Sequence, residues 1–250
     1  MRAAFHGLML HLVGWPLTLL VLILLVLGSA LTLGRLPLYA SGWVRRWARA
    51  LIWVGGYRLE EIGLDALAGS APRIVTINHA STLDFMLVCA LYPPRSVGVV
   101  KRELANIPIV GTAARVVGTL VVDRGDHQAA IAGIAALGHR IAAERLSVFI
   151  APEGTRSLDG RLGPFKMGPF HLAMHSGAPV FPVVVEGAHT LWPKGRLWGT
   201  PGTVRLRLLA PVATDAWRPE TLSEARDDLR ARYLQALGQV SADNPASPPS

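Results

Sequence analysis

Arg73-Ile74-Val75-Thr76-Ile77-Asn78-His79-Ala80-Ser81-Thr82-Leu83-Asp84 passes from a short apolar run into a helix-like stretch that continues to Leu91. Arg73 to Ile77 reads as a strand and His79 to Leu91 as a helix, and the same alternation continues along the chain. Ser96 to Val100 and Gly118 to Val122 read as strands. Residues 127 to 145 carry Ile131, Ile134, Ala135, Leu137, Gly138 and Ile141 at helical spacing. Ser147 to Ala151 then reads as a strand, Phe165 to Ser176 as a helix, and Pro179 to Val185 and Thr203 to Leu209 as strands. Thr221 to Leu237 is an amphipathic helix of mixed charge. Strands that alternate with helices predict an α/β fold, with a mixed, largely parallel central sheet flanked by helices. Ligands of such sheets sit beyond the carboxyl ends of strands, which is where the polar residues after Ile77 fall.

Upstream of this region the character changes. Leu12 to Gly34 is 23 residues without a charge, longer than the roughly 20 needed to cross a bilayer core. A cleaved signal peptide is the competing reading, but its apolar region is typically only about 7 to 15 residues long. After Gly34-Arg35-Leu36-Pro37, residues 38 to 54 predict a second helix with Tyr39, Trp43 and Trp47 on one face and Arg45 and Arg49 on another. That pattern suits a helix lying at lipid headgroup level; a soluble helix packing its aromatic stripe on the core is the alternative. The expected organisation is therefore a membrane helix and interfacial helix over 1–57, one α/β domain over 58–240, and a Pro- and Ser-rich disordered tail over 241–250.

Composition agrees. Hydrophobic residues make up 51% of the 250 and charged residues only 17%, and the mean hydropathy is +0.36, which leans towards a membrane protein. The net charge of +8 suits either nucleic acid or an anionic lipid surface. Its placement decides between them: the first 59 residues hold six Arg and no Asp or Glu, a juxtamembrane pattern and not a nucleic-acid stripe. Arginine on the carboxyl side of the apolar run predicts that the α/β domain faces the cytoplasm. The single cysteine, Cys89, rules out an intrachain disulfide. No zinc spacing occurs.

Histidine accepts a proton near neutral pH, and a carboxylate on its other ring nitrogen fixes the tautomer. His79 and Asp84 suit that pair. Five residues of continuous helix turn through about 500°, leaving their side chains about 140° apart. The two can meet only if His79 precedes the helix and Asp84 lies in its first turns, with Ser81 or Thr82 as cap. Alone, the pair reads more readily as a capping segment. It gains company in Pro152-Glu153-Gly154-Thr155-Arg156-Ser157, which places a guanidinium matched to phosphate oxygens after another apolar run. Arg124 and Lys101 follow two further strands, and Lys101 and Lys166 stand out because only three basic residues of 25 are lysines. No serine elbow, P-loop or dinucleotide glycine pattern is present.

These residues resemble the glycerolipid acyltransferases, whose signature is His, four residues, then Asp. Asn78 to Asp84 is similar to the first block of that family. Val100-Lys101-Arg102-Glu103-Leu104 with Ile107-Pro108 is similar to the segment after it. Val121-Val122-Asp123-Arg124 resembles the second block, Pro152 to Ser157 the third and Val180-Phe181-Pro182-Val183-Val184 the fourth, with Phe165-Lys166-Met167-Gly168 between the last two. The nearest members are the bacterial 1-acyl-sn-glycerol-3-phosphate acyltransferases. The resemblance implies that His79 is the general base and Asp84 its orienting partner. It implies that Arg156, Arg124 and Lys101 bind the glycerol phosphate and that Glu153, Gly154 and Thr155 belong to the same substrate-binding site, with Glu153 holding Arg156 or a substrate hydroxyl. It also implies acyl-CoA or acyl carrier protein as co-substrate, lysophosphatidic acid as acceptor, the phospholipid bilayer as partner, and no cofactor or metal. A related enzyme acting on a lyso-ornithine lipid or another lysophospholipid, or a non-catalytic lipid-binding protein, would share much of the pattern.

Overall fold

The computed structural model describes residues 2–31, 41–69, 71–93, 95–101, 106, 111–112, 120–122 and 127–239. In chain order its elements are α1 (Arg2–Met9), α2 (Trp15–Leu31), α3 (Ser41–Val54), β1 (Tyr57–Ile62), β2 (Arg73–Ile77), α4 (Asp84–Leu91), β3 (Ser96–Lys101), β4 (Leu120–Val122), α5 (His127–Glu144), β5 (Ser147–Ile150), α6 (Gly168–Ser176), β6 (Val180–Glu186), α7 (Ala188–Leu191), β7 (Gly202–Leu208) and α8 (Leu222–Ala236). The strands form a seven-stranded sheet in the order β1-β7-β6-β2-β5-β3-β4. Five strands, β6, β2, β5, β3 and β4, run parallel. β7 is antiparallel to β6, and β1 runs parallel to β7. The mixed, largely parallel sheet expected from the sequence is what the chain builds.

β2 is buried along its whole length because both faces of the sheet are covered, as parallel strands require. Its side chains alternate between two cores. Val75 and Ile77 join Phe149, Val183 and Val185 under α3 and α4, whereas Ile74 joins Val148, Val180 and Val184 under α5, α6 and α8. At about 25 cal/mol per Å² of apolar surface, each fully buried Val or Ile contributes on the order of 1.5–3 kcal/mol. Tyr233 of α8 reaches through the second core, where its hydroxyl donates to the Thr76 carbonyl at 2.7 Å and lies 3.0 Å from Thr76 Oγ1. This bond ties the outer helix to the strand that ends at His79.

Four expectations change. β1 was not anticipated: Arg58, Glu60 and Glu61 mask its period, and as an edge strand it carries its charges outward, Glu60 pairing with Arg205 of β7 at 3.0 Å. α4 starts at Asp84 and not at His79, since the residues between are held by side chains and not by helical bonds. α6 starts at Gly168 and not at Phe165, because the Lys166 N–H is taken by the Pro152 carbonyl and Pro169, lacking an N–H, fits the first turn. On α3 the aromatic stripe splits. Ala48, Leu51 and Ile52 form its buried seam, Trp47 packs edge-on to Phe85 and donates to Thr18 Oγ1 at 3.1 Å, and Trp43 stays exposed under Arg46. The Gly34 to Pro37 break, Tyr39, Arg102 to Leu104, Ile107-Pro108, Gly118, Asp123, Arg124 and the tail 241–250 lie outside the described residues.

α1 and α2 join through a π-helical turn at Leu10–Gly14. Within this rod Phe5–Gly28 is long and apolar enough to cross a membrane, with a mean hydropathy of 2.5 and little of it buried. One side rests on the domain, where Leu10 and Leu17 meet the first core. Phe5, Leu8, Leu12, Trp15, Leu20 and Leu24 are uncovered, an apolar surface compatible with lipid.

Candidate active site

β2 delivers His79 and α4 delivers Asp84. His79 Nδ1 lies 2.7 Å from Asp84 Oδ2, and the same oxygen accepts the backbone N–H groups of Ala80 and Ser81, each at 2.8 Å. Asp84 thus folds the His-loop back onto the helix start, with its side chain 2% exposed against 29% for His79. The capping arrangement differs from expectation. Ser81 Oγ accepts the Leu83 N–H and donates to the Trp192 carbonyl at 2.7 Å, and no side chain caps the helix at Leu83. A buried carboxylate needs its lone pairs satisfied, and the N–H groups upstream of α4 are the nearest donors.

This geometry sets the chemistry. A carboxylate can only accept, so a neutral imidazole facing Asp84 carries its proton on Nδ1 and leaves the Nε2 lone pair free. Among the described residues Nε2 has no hydrogen-bond partner. His79 is therefore a base with a fixed tautomer and an open nitrogen.

The loop after β5 grips the same histidine from the other side. Glu153 Oε1 accepts the His79 N–H at 2.6 Å, and Glu153 Oε2 accepts the Gly163 N–H at 2.8 Å. Ser157 N–H donates to the His79 carbonyl at 2.8 Å. Both polar groups of the His79 backbone are thus held by the segment Glu153 to Ser157, and Gly154 turns that segment with φ +73°, a conformation costly for other residues. Of the two partners expected for Glu153, Arg156 or a substrate hydroxyl, Arg156 makes no bond to it among the described residues: both of its oxygens accept backbone N–H groups. Burial pushes the Glu153 carboxyl above its ordinary range, against the pull of its two N–H donors and the neighbouring histidine, with the Asp84 charge adding to the rise.

Arg156, half-buried, donates from Nη1 to Thr82 Oγ1 at 3.2 Å, which brings it to the His79–Asp84 loop. Thr155 is exposed beside it, and the Gly154 N–H is spent on the turn, donating to the Ala151 carbonyl at 3.0 Å. Lys101 ends β3, and β3 lies next to β5, which lies next to β2. Adjacent strand ends thus bring the backbone of Lys101, the Glu153 loop and His79 to one edge of the sheet. Arg124 lies outside the described residues.

Two positioning residues were quoted in the motif, Asn78 without a role and Ser81 only as a candidate helix cap. Asn78 bridges to β6, its Nδ2 donating to the Val185 carbonyl at 3.0 Å and its Oδ1 accepting the Val185 N–H at 2.7 Å. Ser81 ties the loop to Trp192, as above. The available signal was that both are polar residues at the end of a strand whose other side chains are buried.

Comparison with known proteins agrees with this architecture. A family model described as Acyltransferase matches residues 58–186, just over half of the chain. Over 190 residues the chain is 33% identical to the 1-acyl-sn-glycerol-3-phosphate acyltransferase of Cocos nucifera, covering 76% of this chain and 61% of that protein. It is 31% identical to the alpha 1-acyl-sn-glycerol-3-phosphate acyltransferase of Mus musculus over 189 residues, covering 75% of this chain and 66% of that protein. The chain therefore spans about three-fifths to two-thirds of the curated relatives it matches. The crystal structure of the 1-acyl-sn-glycerophosphate acyltransferase of Thermotoga maritima superposes with a TM-score of 0.73 at 22% identity, covering 97% of this chain and 100% of that one; at that identity the likeness concerns the fold. With the family model spanning the sheet and both polar loops, the chain belongs to the acyltransferase family.

Proposed function

We propose that the chain transfers a fatty acyl group from a thioester donor, acyl-CoA or acyl carrier protein, to the 2-hydroxyl of 1-acyl-sn-glycerol 3-phosphate, giving phosphatidic acid for phospholipid biosynthesis. The observation that carries this reading is the His79–Asp84 contact at 2.7 Å with Nε2 left open. His79 Nε2 takes the hydroxyl proton as the oxygen attacks the thioester carbonyl. The C–S bond then breaks, and the proton held on His79 passes to sulfur, releasing a free thiol. Asp84 stabilises the imidazolium between the two steps. The reaction is a direct transfer between two substrates and calls for no metal or cofactor chemistry.

Arg156, with Lys101 and Arg124, supplies the charge for the acceptor's phosphate, while Glu153, Gly154 and Thr155 shape the wall between that charge and the base. A planar guanidinium matches phosphate oxygens in pairs. Both substrates carry acyl chains that partition into lipid, so the apolar rod of α1 and α2 fits a protein that meets them at the bilayer. Under this reading the rod and α3 form a membrane-associated unit over 1–57, residues 58–240 form the catalytic domain on the cytoplasmic face of the inner membrane, and 241–250 are a free tail.

The test is an assay of membranes holding the protein, with labelled oleoyl-CoA or oleoyl-acyl carrier protein and a panel of acceptors. Labelled phosphatidic acid is the expected product. Faster labelling of a lyso-ornithine lipid, or of a lysophospholipid with a headgroup, would replace the acceptor, and no transfer to any of them would remove the enzymatic reading. Retention in the membrane pellet through a high-salt wash tests the anchor; release into the supernatant excludes it.

A further inference from the structure

The segment Glu153 to Ser157 has two sides. Arg156 reaches towards Thr82 and the His79 loop, and its neighbours Thr155 and Ser157 border a different surface. They line a cleft of about 300 Å³ together with Asp159, Arg161, Gly163 and Lys166. Lys166, one of the two lysines that the composition singled out, therefore stands here. Arg161 and Lys166 are both exposed, and neither side chain hydrogen-bonds to another described residue. The one exposed carboxylate in the cleft, Asp159, already accepts from the Ser157 hydroxyl at 2.9 Å and from the Arg161 N–H at 3.0 Å. Glu153 also lines the cleft, buried, with both oxygens occupied by N–H donors. Behind the rim Arg230 donates to the Gly163 carbonyl at 3.2 Å, adding positive charge.

The cleft is coupled to the base. Glu153 bonds His79 through one oxygen and the cleft residue Gly163 through the other, and Ser157 bonds the His79 carbonyl through its N–H while lining the cleft. The two substrates carry their phosphates at different reach from the reacting atoms. In a lysophosphatidate the phosphate sits a few bonds from the reacting hydroxyl, so its cation must stand close to His79, as Arg156 does. In a thioester donor the phosphate groups are separated from the reacting carbonyl by the long pantetheine arm. Their cations must stand further off, around a bend in the surface.

We propose that Arg161 and Lys166 form a second anion subsite, which holds the phosphate groups of the thioester donor's phosphopantetheine headgroup. The proposal rests on the reading of the chain as a thioester-dependent acyltransferase. The shared chemistry is the phosphate of the pantetheine arm, present in acyl-CoA and acyl carrier protein alike; CoA adds its nucleotide phosphates.

The test uses the full chain in detergent micelles and the double variant Arg161→Ser with Lys166→Ser, checked for an unchanged melting temperature. Free CoA and pantetheine are titrated calorimetrically, which requires no turnover. The wild type should bind CoA more tightly than pantetheine, and the double variant should lose about tenfold in CoA affinity, as expected for two phosphate cations, with pantetheine unaffected. In turnover the KM for acyl-CoA should rise about tenfold while the KM for the lysophosphatidate stays within about twofold. An equal rise for acyl carrier protein assigns the contact to the shared phosphate, and a rise confined to CoA assigns it to the nucleotide phosphates. Equal CoA affinity in the two proteins, no CoA binding by the wild type, or a matching rise in the acceptor's KM overturns the subsite. CoA binding without acyl transfer would leave the subsite standing and sink the enzymatic reading.

Discussion

His79 and Arg156 sit on the same edge of the sheet and are held very differently. His79 is fixed through its ring by Asp84, through its N–H by Glu153 and through its carbonyl by Ser157, and the residues on either side of it are tied to β6 by Asn78 and to Trp192 by Ser81. Arg156 has one described contact, the 3.2 Å bond to Thr82. The difference follows from the work each is assigned. A base must present one lone pair in one direction, and an error of about 1 Å costs on the order of 10²-fold in rate. A phosphate cation must instead keep its donors free for a ligand, so a guanidinium locked into internal bonds would be wasted. Rigidity is concentrated where direction matters.

Removing the base should break this contrast most. His79→Ala is expected to lower kcat by about 10²- to 10⁴-fold or more with the fold intact, since the ring is partly exposed and its backbone partners remain. Labelled product formation with circular dichroism as a control measures this, and near-wild-type turnover would sink the base assignment. Asp84→Asn comes next. The amide oxygen can take the place of Oδ2 and still accept from Nδ1–H and the Ala80 and Ser81 N–H groups, but the NH2 group then sits where Oδ1 is buried without a hydrogen-bond partner among the described residues, and the charge that stabilises the imidazolium is lost. We expect a loss of about 10²-fold or more in kcat with a small change in the acceptor's KM. A variant that changed only KM would move Asp84 out of the proton-transfer pair.

Much of this contrast was legible in the chain. The spacing of His79 and Asp84 forced one residue before a helix and the other into it, because a continuous helix holds them apart, and that is how β2 and α4 place them. The five parallel strands were legible because their Val- and Ile-rich runs carry few charges. β1 was not, because Arg58, Glu60 and Glu61 read as a polar stretch, although Glu60 is paired with Arg205 of β7 and Glu61 with Arg49 of α3. The role of Glu153 was hidden for a related reason. Its partners are the backbone N–H groups of His79 and Gly163, and backbone groups leave no mark in a sequence, so the neighbouring arginine seemed the natural partner.

Arg156→Ala tests the loosely held half. Because its charge meets substrate and supports little of the fold, we expect the acceptor's KM to rise by about 10- to 10²-fold, with the melting temperature unchanged. Progress curves at varied lysophosphatidate concentration measure it. An unchanged KM with full turnover would remove Arg156 from the phosphate site, and a large loss of stability would show that its bond to Thr82 matters more to the fold than one 3.2 Å contact suggests.

The smallest effect is expected at the joint between the two halves. Glu153→Gln keeps one oxygen acceptor and replaces the other with an amide NH2, so one of the two N–H groups of His79 and Gly163 loses its partner, and kcat should fall by about tenfold or less. Its distinctive signature is the pH dependence of stability. Burial holds the folded-state pKa of Glu153 above that of the unfolded chain. A carboxyl shifted upward stabilises the fold fully while protonated, below its unfolded pKa of about 4.3. That contribution is lost as pH rises through the higher folded value. Glutamine does not titrate. The difference in unfolding free energy, variant minus wild type, should therefore rise with pH from the ordinary carboxylate range upward and become level once Glu153 is ionised in the folded protein. Chemical denaturation of both proteins across that range measures the curve. A difference that falls with pH would mean that the two N–H bonds outweigh burial, making Glu153 a charge that the fold welcomes.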